Sequence, residues 1–415
     1  MSNERKQSKL DELIQQYCPD GVEHKSLGEV VRFLNGRAYK QAELLDEGKY
    51  KVLRVGNFYT NDKWYYSDLE LDEDKYCKNG DLLYTWAATL GPQIWSGERV
   101  IFHYHIWKLV FDETVLNKRF LYYFLAKDID DISKSLTKST MPHVSMASMN
   151  KRLVPIPPME VQSEIVRILD NFTELTAELT TELTARKKQY EFYRCNLLNY
   201  DTSIDHIPLK ELAQFTYGYT DTANDIGDTR YIRITDINED GTLKPSDAKY
   251  ITLGEDSKKY ILHKGDLLLA RTGASYGKTL YYPNEEQAVY ASFLIKITLD
   301  NSRILNRYYW HFSKSQLYWS QAEKLVSKGG QQQFNTNAVN RVVVPVPSLE
   351  IQRKVIEVLD NFDAICSDLN IGLPAEIEAR QKQYEFYRDA LLTYAATGKT
   401  ILTDRQTDRQ TDRQV

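Results

Sequence analysis

The sequence predicts an α+β architecture: two mixed α/β globular parts in tandem repeat, each followed by a long helix, with the two helices packing as an antiparallel coiled coil. Three observations predict it. A repeat runs through the chain, apolar residues step by three and four after each copy, and short strand-like runs separated by turn signals precede each helix.

The repeat is explicit in residues. Leu169-Asp170-Asn171-Phe172 recurs as Leu359-Asp360-Asn361-Phe362, and the same offset aligns Val154-Pro155-Ile156-Pro157 with Val344-Pro345-Val346-Pro347. Gln189-Tyr190-Glu191-Phe192-Tyr193-Arg194 recurs as Gln383-Tyr384-Glu385-Phe386-Tyr387-Arg388, with four residues gained in the second copy. Upstream, Leu27-Gly28-Glu29-Val30 and Gly36 match Leu209-Lys210-Glu211-Leu212 and Gly218. Lys78-Asn79-Gly80-Asp81-Leu82-Leu83 matches His263-Lys264-Gly265-Asp266-Leu267-Leu268. Similarity is strongest in the tails and weakest in the globular parts. Uneven divergence suggests that the tails share a partner while the globular parts have different targets; the bland alternative is that long helices tolerate less change.

In chain order, residues 1–25 form an N-terminal helical segment and 26–158 the first globular part, where 52–55 and 106–111 read as strands. Residues 159–200 carry a heptad seam at Ile165, Ile168, Phe172, Leu175 and Leu179, resuming at Leu183, Tyr190, Tyr193 and Leu197 after a stutter. Such a helix is roughly 60 Å long at ~1.5 Å per residue. Residues 207–347 form the second globular part, with strands at 231–234, 267–270 and 293–298. Residues 348–396 repeat the seam at Val355, Val358, Phe362, Ile365 and Leu369, then Ile377, Tyr384, Tyr387 and Leu391. Gly372 and Pro374 interrupt that helix near 372–374. One tail alone would expose its apolar stripe, so the two are expected to pack together. Residues 403–415 repeat Thr-Asp-Arg-Gln without an apolar residue before Val415 and read as a disordered tail.

Composition narrows the function. No run of about 18 apolar residues exists, so no membrane span is expected. The polar start does not read as a signal peptide. Cys18, Cys77, Cys195 and Cys366 lie far apart without CxxC spacing, which fits a reducing cytoplasm. The net charge of −5 argues mildly against nucleic acid. However, residues 132–159 and 324–349 contain no Asp or Glu but do hold lysine and arginine.

Catalytic motifs are wanting. Gly273-Ala274-Ser275-Tyr276-Gly277-Lys278-Thr279 resembles a phosphate loop but is one residue short between its glycines. His103 and His105 would share one face of a strand, yet no third metal ligand has suitable spacing. Ile156-Pro157-Pro158-Met159 lacks the polar residue that an adenine-methyltransferase motif needs.

Two variable globular parts, each followed by a Pro-rich junction and a helix with the LDNF and QYEFYR runs, resemble the specificity subunit of type I restriction-modification systems. The opening Leu10-Asp11-Glu12-Leu13-Ile14-Gln15-Gln16-Tyr17-Cys18-Pro19-Asp20-Gly21-Val22-Glu23 resembles that family's usual start. The resemblance covers nearly the whole chain except its last dozen residues. It implies a non-catalytic, phage-defence protein with two target-recognition domains, one per half of a split double-stranded DNA target. It further implies helices that set the spacing and dock two methyltransferase subunits, with restriction subunits completing the complex. Adenine methylation with S-adenosylmethionine, and translocation with ATP and Mg, would belong to those partners; this chain would bind no cofactor or metal. The competing expectation is a coiled-coil scaffold with two protein-binding domains, which the negative charge favours.

Direct readout needs amide, hydroxyl or cationic side chains on loops that enter a groove. The first copy offers Lys138, Ser139, Thr140 and His143, with Trp86 and Thr89 in a second window. The second copy offers Lys328, Gln331, Gln332, Gln333 and Asn335, with Arg271, Thr272, Ser275, Tyr276 and Lys278 in its second window. Gln189, Glu191, Arg194, Gln383, Glu385 and Arg388 are the expected partner contacts on the helices.

The tail carries its own prediction. Thr-Asp-Arg-Gln is the translation of a repeated ACAG tetranucleotide, whose slippage would change the reading frame. Sequencing the coding DNA is expected to return an uninterrupted ACAG tract; mixed codons would refute the idea.

Overall fold

The computed structural model describes residues 9–59, 61–135, 143–201, 203–327, 332–367 and 371–397. The terminal tail, and the predicted contacts Lys138, Ser139, Thr140, Lys328 and Gln331, lie outside the described residues.

Each copy's globular part has the same topology. In the first, an antiparallel sheet runs Val31–Asn35, Ile106–Phe111, Leu82–Thr85, Gly91–Ile94. A second sheet runs Tyr65–Ser67, Tyr50–Leu53, Val100–Phe102, Tyr76–Cys77, with its central pair parallel. In the second copy the corresponding orders are Ala213–Tyr217, Leu294–Leu299, Leu267–Ala270, Thr279–Tyr281 and Lys249–Ile251, Thr229–Ile232, Ala288–Tyr290, Ile261–Leu262.

The repeated motifs are the joints of this frame. The Val-Pro run closes each globular part on its own beginning: His24–Ser26 pairs with Leu153–Pro155, and His206–Pro208 with Val343–Pro345. Gly80 and Gly265 take φ of 86° and 88°, a region open to glycine at little cost. The next residue, Asp81 or Asp266, accepts the backbone N–H of Lys78 or His263 and pairs with Lys108 or Lys296 on a neighbouring strand. The predicted strands at 52–55 and 231–234 stop early, at Leu53 and Ile232. There Asn57 Oδ1 and Asp236 Oδ2 accept the N–H of Arg54 and Arg233 and fold the chain into a 3-10 turn.

A buried glutamine seats each helix on its globular part. Gln162 Oε1 accepts from Asn117 N–H at 2.8 Å, and its Nε2 donates to Val115 O and Pro157 O. Gln352 does the same with Leu305 N–H at 2.9 Å, Arg303 O and Pro347 O. The aspartate of the LDNF run follows the same logic. Asp170 accepts from Arg119 and Tyr123; Asp360 accepts from Arg307 and from His311 Nε2 at 2.6 Å. Burial holds the His311 imidazole down at about 4, so near neutrality it is the uncharged ring that donates.

The first tail is one helix of 40 residues, Met159–Leu198, and the second is two, Leu349–Ser367 and Leu373–Thr397. The chain divides into two compact units, Met1–Glu178 with Glu378–Val415, and Leu179–Ile377. These differ from the linear boundaries expected from sequence, because each unit contains one copy's LDNF run and the other copy's QYEFYR run. In unit 1, Phe172 stacks on Tyr387 with centroids 5.2 Å apart. In unit 2, Phe362 stacks on Tyr193 at 5.2 Å, while Tyr190 O–H donates to Asp363, so these two helix segments run antiparallel. The seam is shifted from the expected one: Val355, Leu359 and Cys366 are buried while Val358 and Ile365 are exposed. The helix must face both its globular part and its partner helix, so the buried stripe is wider than two positions per heptad.

Gln352→Leu is expected to leave three backbone groups unpaired and to cost roughly 2–4 kcal/mol. Urea denaturation of the purified chain checks this; an unchanged midpoint would contradict the seating role.

Candidate nucleic-acid interface

In each copy, two predicted windows that are far apart in sequence meet at the end of the central strand. In unit 1 the strand Leu82–Thr85 delivers Trp86. Val144 N–H donates to Trp86 O at 2.9 Å, and Ala87 bridges His143. In unit 2 the strand Leu267–Ala270 delivers Arg271. Phe334 N–H donates to Arg271 O at 2.7 Å, Gly273 N–H donates to Gln332 O at 3.1 Å, and Thr272 bridges Gln333.

A third element, missed in the sequence, completes the corner: the turn at residues 103–105 in unit 1 and 291–293 in unit 2. Trp86 N–H donates to His105 O, and Arg271 N–H donates to Phe293 O. The side chains repeat the pattern. Trp86 Nε1–H donates to Tyr104 O at 2.7 Å, and Arg271 Nε–H donates to Ser292 O at 3.1 Å. Two chemically unlike residues therefore occupy one hydrogen-bonding slot. The signal was present in the matched Gly36 and Gly218. A Cβ at Gly36 would lie 2.4 Å from His103 O, and one at Gly218 would lie 2.2 Å from Ala291 O. Only a residue without a side chain lets the strand end close on that turn.

The corners differ in electrostatics. In unit 1, His103 and His105 sit in the turn rather than on a strand face. Burial, then the neighbouring His105, holds His103 down at about 4, and burial also lowers His105. Both rings are therefore neutral near pH 7. Trp86 packs at 5.1 Å from His105 and 5.9 Å from Tyr104. In unit 2, the Arg271 guanidinium lies 5.2 Å from the Tyr217 ring and 5.6 Å from that of Phe293. Tyr104, Tyr217 and Phe293 are all exposed.

Thr89, His143, Gln332 and Gln333 are exposed, while Ser275, Tyr276 and Lys278 are half-buried. Lys278 lies 3.9 Å from Glu239, and Tyr276 packs against Trp319 and Phe334. Two predicted contacts also serve the fold. Thr272 is buried, and Asn335 Oδ1 caps a short helix by accepting Ala338 N–H at 3.2 Å. Among the described residues, no group of three or more His, Cys, Asp or Glu is placed to hold a metal ion. No described helix is long and apolar enough to cross a membrane.

On the helices, Arg194 is buried beneath the QYEFYR turn, 4.8 Å over the Tyr190 ring and paired with Glu191. It is a packing residue, which corrects its assignment as a partner contact. Arg388 lies over Tyr384 and pairs with Asp389. Glu191 and Glu385 are exposed, and Gln189 and Gln383 accept from Arg186 and Arg380 one turn away. The sequence reading passed over Phe192, 62% exposed, and Ile351, which continues the exposed line of Val358 and Ile365 at heptad spacing.

The family profile described as "Type I restriction modification DNA specificity domain" matches residues 19–186 and 204–379. A putative type I restriction enzyme specificity subunit of Haemophilus influenzae is 30% identical over 395 residues, covering 90% of this chain and 96% of that one. The EcoR124I/EcoR124II specificity subunit of Escherichia coli is 32% identical over 274 residues, covering 60% of this chain and 65% of that one. In fold, the chain is similar to the S subunit of a type I restriction-modification system from M. genitalium: TM-score 0.52, 16% identity, 91% of this chain and 96% of the other. A chain from a structure of type I complex assembly and conformational transition gives TM-score 0.57 at 14% identity, covering 90% of this chain and 98% of that one.

Gly218→Ala is expected to push the turn at 291–293 off the strand end. Hydrogen exchange should then accelerate at the Arg271 N–H, which is bonded to Phe293 O. Unchanged protection there would show that the close approach is dispensable.

Proposed function

The chain belongs to the type I restriction-modification DNA specificity family, and from that premise we propose how its parts divide the work. It is the non-catalytic specificity subunit of such a complex, with two target-recognition domains in tandem and with DNA and the other subunits of the system as partners. The globular part of unit 1 reads one half-site and that of unit 2 the other. The reading surface of each is the corner where the strand end, the turn and the second window meet.

One observation carries this division. The same backbone corner is built twice and holds Trp86 in one copy and Arg271 in the other through equivalent hydrogen bonds. A frame repeated to the level of individual bonds, carrying unlike side chains at its tip, is what two readers of different half-sites require. Phosphate contacts fix register, and side chains at the corner specify bases. Hydrogen-bonding and aromatic side chains on tight turns suit that role.

The helices dock the modification subunits, with Phe192, Ile351, Val358 and Ile365 as apolar contacts and Glu191 as a charged contact in unit 2, and Glu385 as a charged contact in unit 1. Two modification subunits per chain match the two copies of the helical frame. In this reading S-adenosylmethionine serves the modification subunits, and ATP with Mg serves the restriction subunits. The enzymatic steps, methylation of an adenine in each half-site and cleavage after translocation, belong to those partners.

Coexpression with the modification subunits of its own system, followed by mapping of adenine methylation by long-read sequencing, tests the division. A split motif that disappears on deleting this gene is expected. Gene-dependent methylation at a continuous, unsplit motif would overturn it.

A further inference from the structure

Arg271 is held more completely than a surface arginine needs to be. Its backbone N–H and C=O are both bonded, to Phe293 O and from Phe334 N–H. Its Nε–H is taken by Ser292 O. Tyr217 and Phe293 supply aromatic neighbours at 5.2 and 5.6 Å. Tyr217 is itself tied at the hydroxyl to Thr336 Oγ1 at 3.2 Å. Among the described residues the Arg271 side chain meets a backbone carbonyl and two aromatic rings, and no carboxylate. The two terminal nitrogens therefore remain as a planar fork of donors on a side chain whose other donors are spent.

Fixing a guanidinium this way favours a bidentate acceptor, because the rotamer entropy usually lost on forming two parallel bonds has already been surrendered. In the major groove one base presents two acceptors side by side: guanine, through O6 and N7. A phosphate oxygen pair is the competing acceptor. The surroundings favour the base. The corner also carries exposed Gln332 and Gln333, amides suited to base edges, and Lys278, the nearby lysine of the same window, faces Glu239. Unit 1 keeps the slot and fills it with Trp86, which has one N–H, already donated to Tyr104 O. Among the described residues, the slot thus presents a donor fork in unit 2 and not in unit 1.

We propose that Arg271 reads a guanine in the half-site recognised by unit 2, held in reading position by Tyr217, Phe293 and the Ser292 carbonyl. The proposal rests on the assignment of that globular part as a DNA reader. Ser292 and the two aromatics are positioning residues: they act through Arg271.

The test uses the full chain assembled with its modification subunits, and duplexes carrying each single base-pair change in both half-sites. For the wild type, one G·C pair in the second half-site is expected to be obligatory, its replacement lowering binding by roughly 5- to 100-fold. Arg271→Ala should make that one position indifferent while leaving the first half-site's preferences intact, which also reports that the complex is folded. Arg271→Lys keeps the charge but loses the fork and should lose the same discrimination; it decides the matter if Arg271→Ala fails to assemble. Phe293→Ala should weaken discrimination at that position and no other. The proposal is overturned if Arg271→Ala or Arg271→Lys lowers binding equally on all duplexes with a shallower salt dependence, the signature of a phosphate contact. It is overturned equally by a second half-site without an obligatory G·C pair. A wild-type complex that prefers no split site would instead remove the DNA-reading assignment, and the proposal with it.

Discussion

The fold depends on an exchange of aromatic partners between the two copies. The phenylalanine of each LDNF run finds its stacking partner in the other copy's QYEFYR run: Phe172 with Tyr387, Phe362 with Tyr193, both at 5.2 Å. Offset stacking adds about 0.5–1.5 kcal/mol to the area such rings bury. Neither copy closes its helical tail alone, so each compact unit joins one copy's LDNF run to the other copy's QYEFYR run, and unit 1 is built from two separate stretches of chain. The exchange also explains why the tails diverged less than the globular parts. A change at Phe172 must be accommodated by Tyr387, far away in sequence. Tyr190 and Arg194, buried within the same motif, are held by the same fit. Part of the identity that pointed to a shared external partner is thus internal packing, while Glu191, Phe192, Tyr193, Glu385, Asn171 and Asn361 are among the residues that remain exposed.

Above that helical frame the globular parts separate what must recur from what must differ. The recurring residues solve geometric problems with few alternatives. Gly80 and Gly265 turn with positive φ, Gly36 and Gly218 admit a close backbone, and Gln162 and Gln352 each satisfy three buried backbone groups. The differing residues sit where the frame makes no demand beyond one side-chain N–H. Tryptophan meets that demand through Nε1 and arginine through Nε. The slot fixes where the side chain begins and leaves its chemistry open, so the residue there can change without disturbing the β core.

The repeat, the α+β class, the helical tails and the break in the second tail were legible in sequence because each is periodic or punctuated. The window before each helix stood out because its stretch lacks acidic residues, and the second window of each copy was marked by its place in the repeat; that the two meet was visible only in the fold. The turns at 103–105 and 291–293 were not, since His-Tyr-His and Ala-Ser-Phe share nothing to align; their equivalence lies in backbone bonds. Thr272 and Asn335 looked like readers because hydroxyls and amides serve bases and backbones equally well, and only the fold shows one buried and the other capping a helix. Val358 and Ile365 were assigned to the buried seam because a heptad assumes one neighbour, whereas this helix has two. The unit boundaries were hidden because a repeat in sequence says nothing of which copy packs with which.

The net charge of −5 is a property of the whole chain and does not fix the charge at either corner. Asp81, Asp128, Asp170, Asp266 and Asp360 are committed to Lys108, Arg152, Arg119, Lys296 and Arg307, all within the frame. Such pairs cancel and leave the net charge where it was, so the potential at either corner depends on where the remaining charges lie. Locally, one corner is aromatic with neutral histidines and the other holds a guanidinium without a carboxylate partner among the described residues. The two corners therefore differ in the group held at the shared slot, an indole in one and a guanidinium in the other. If Arg271 meets DNA as proposed, it adds a cationic contact to the half-site of unit 2, and rising ionic strength should weaken that contact.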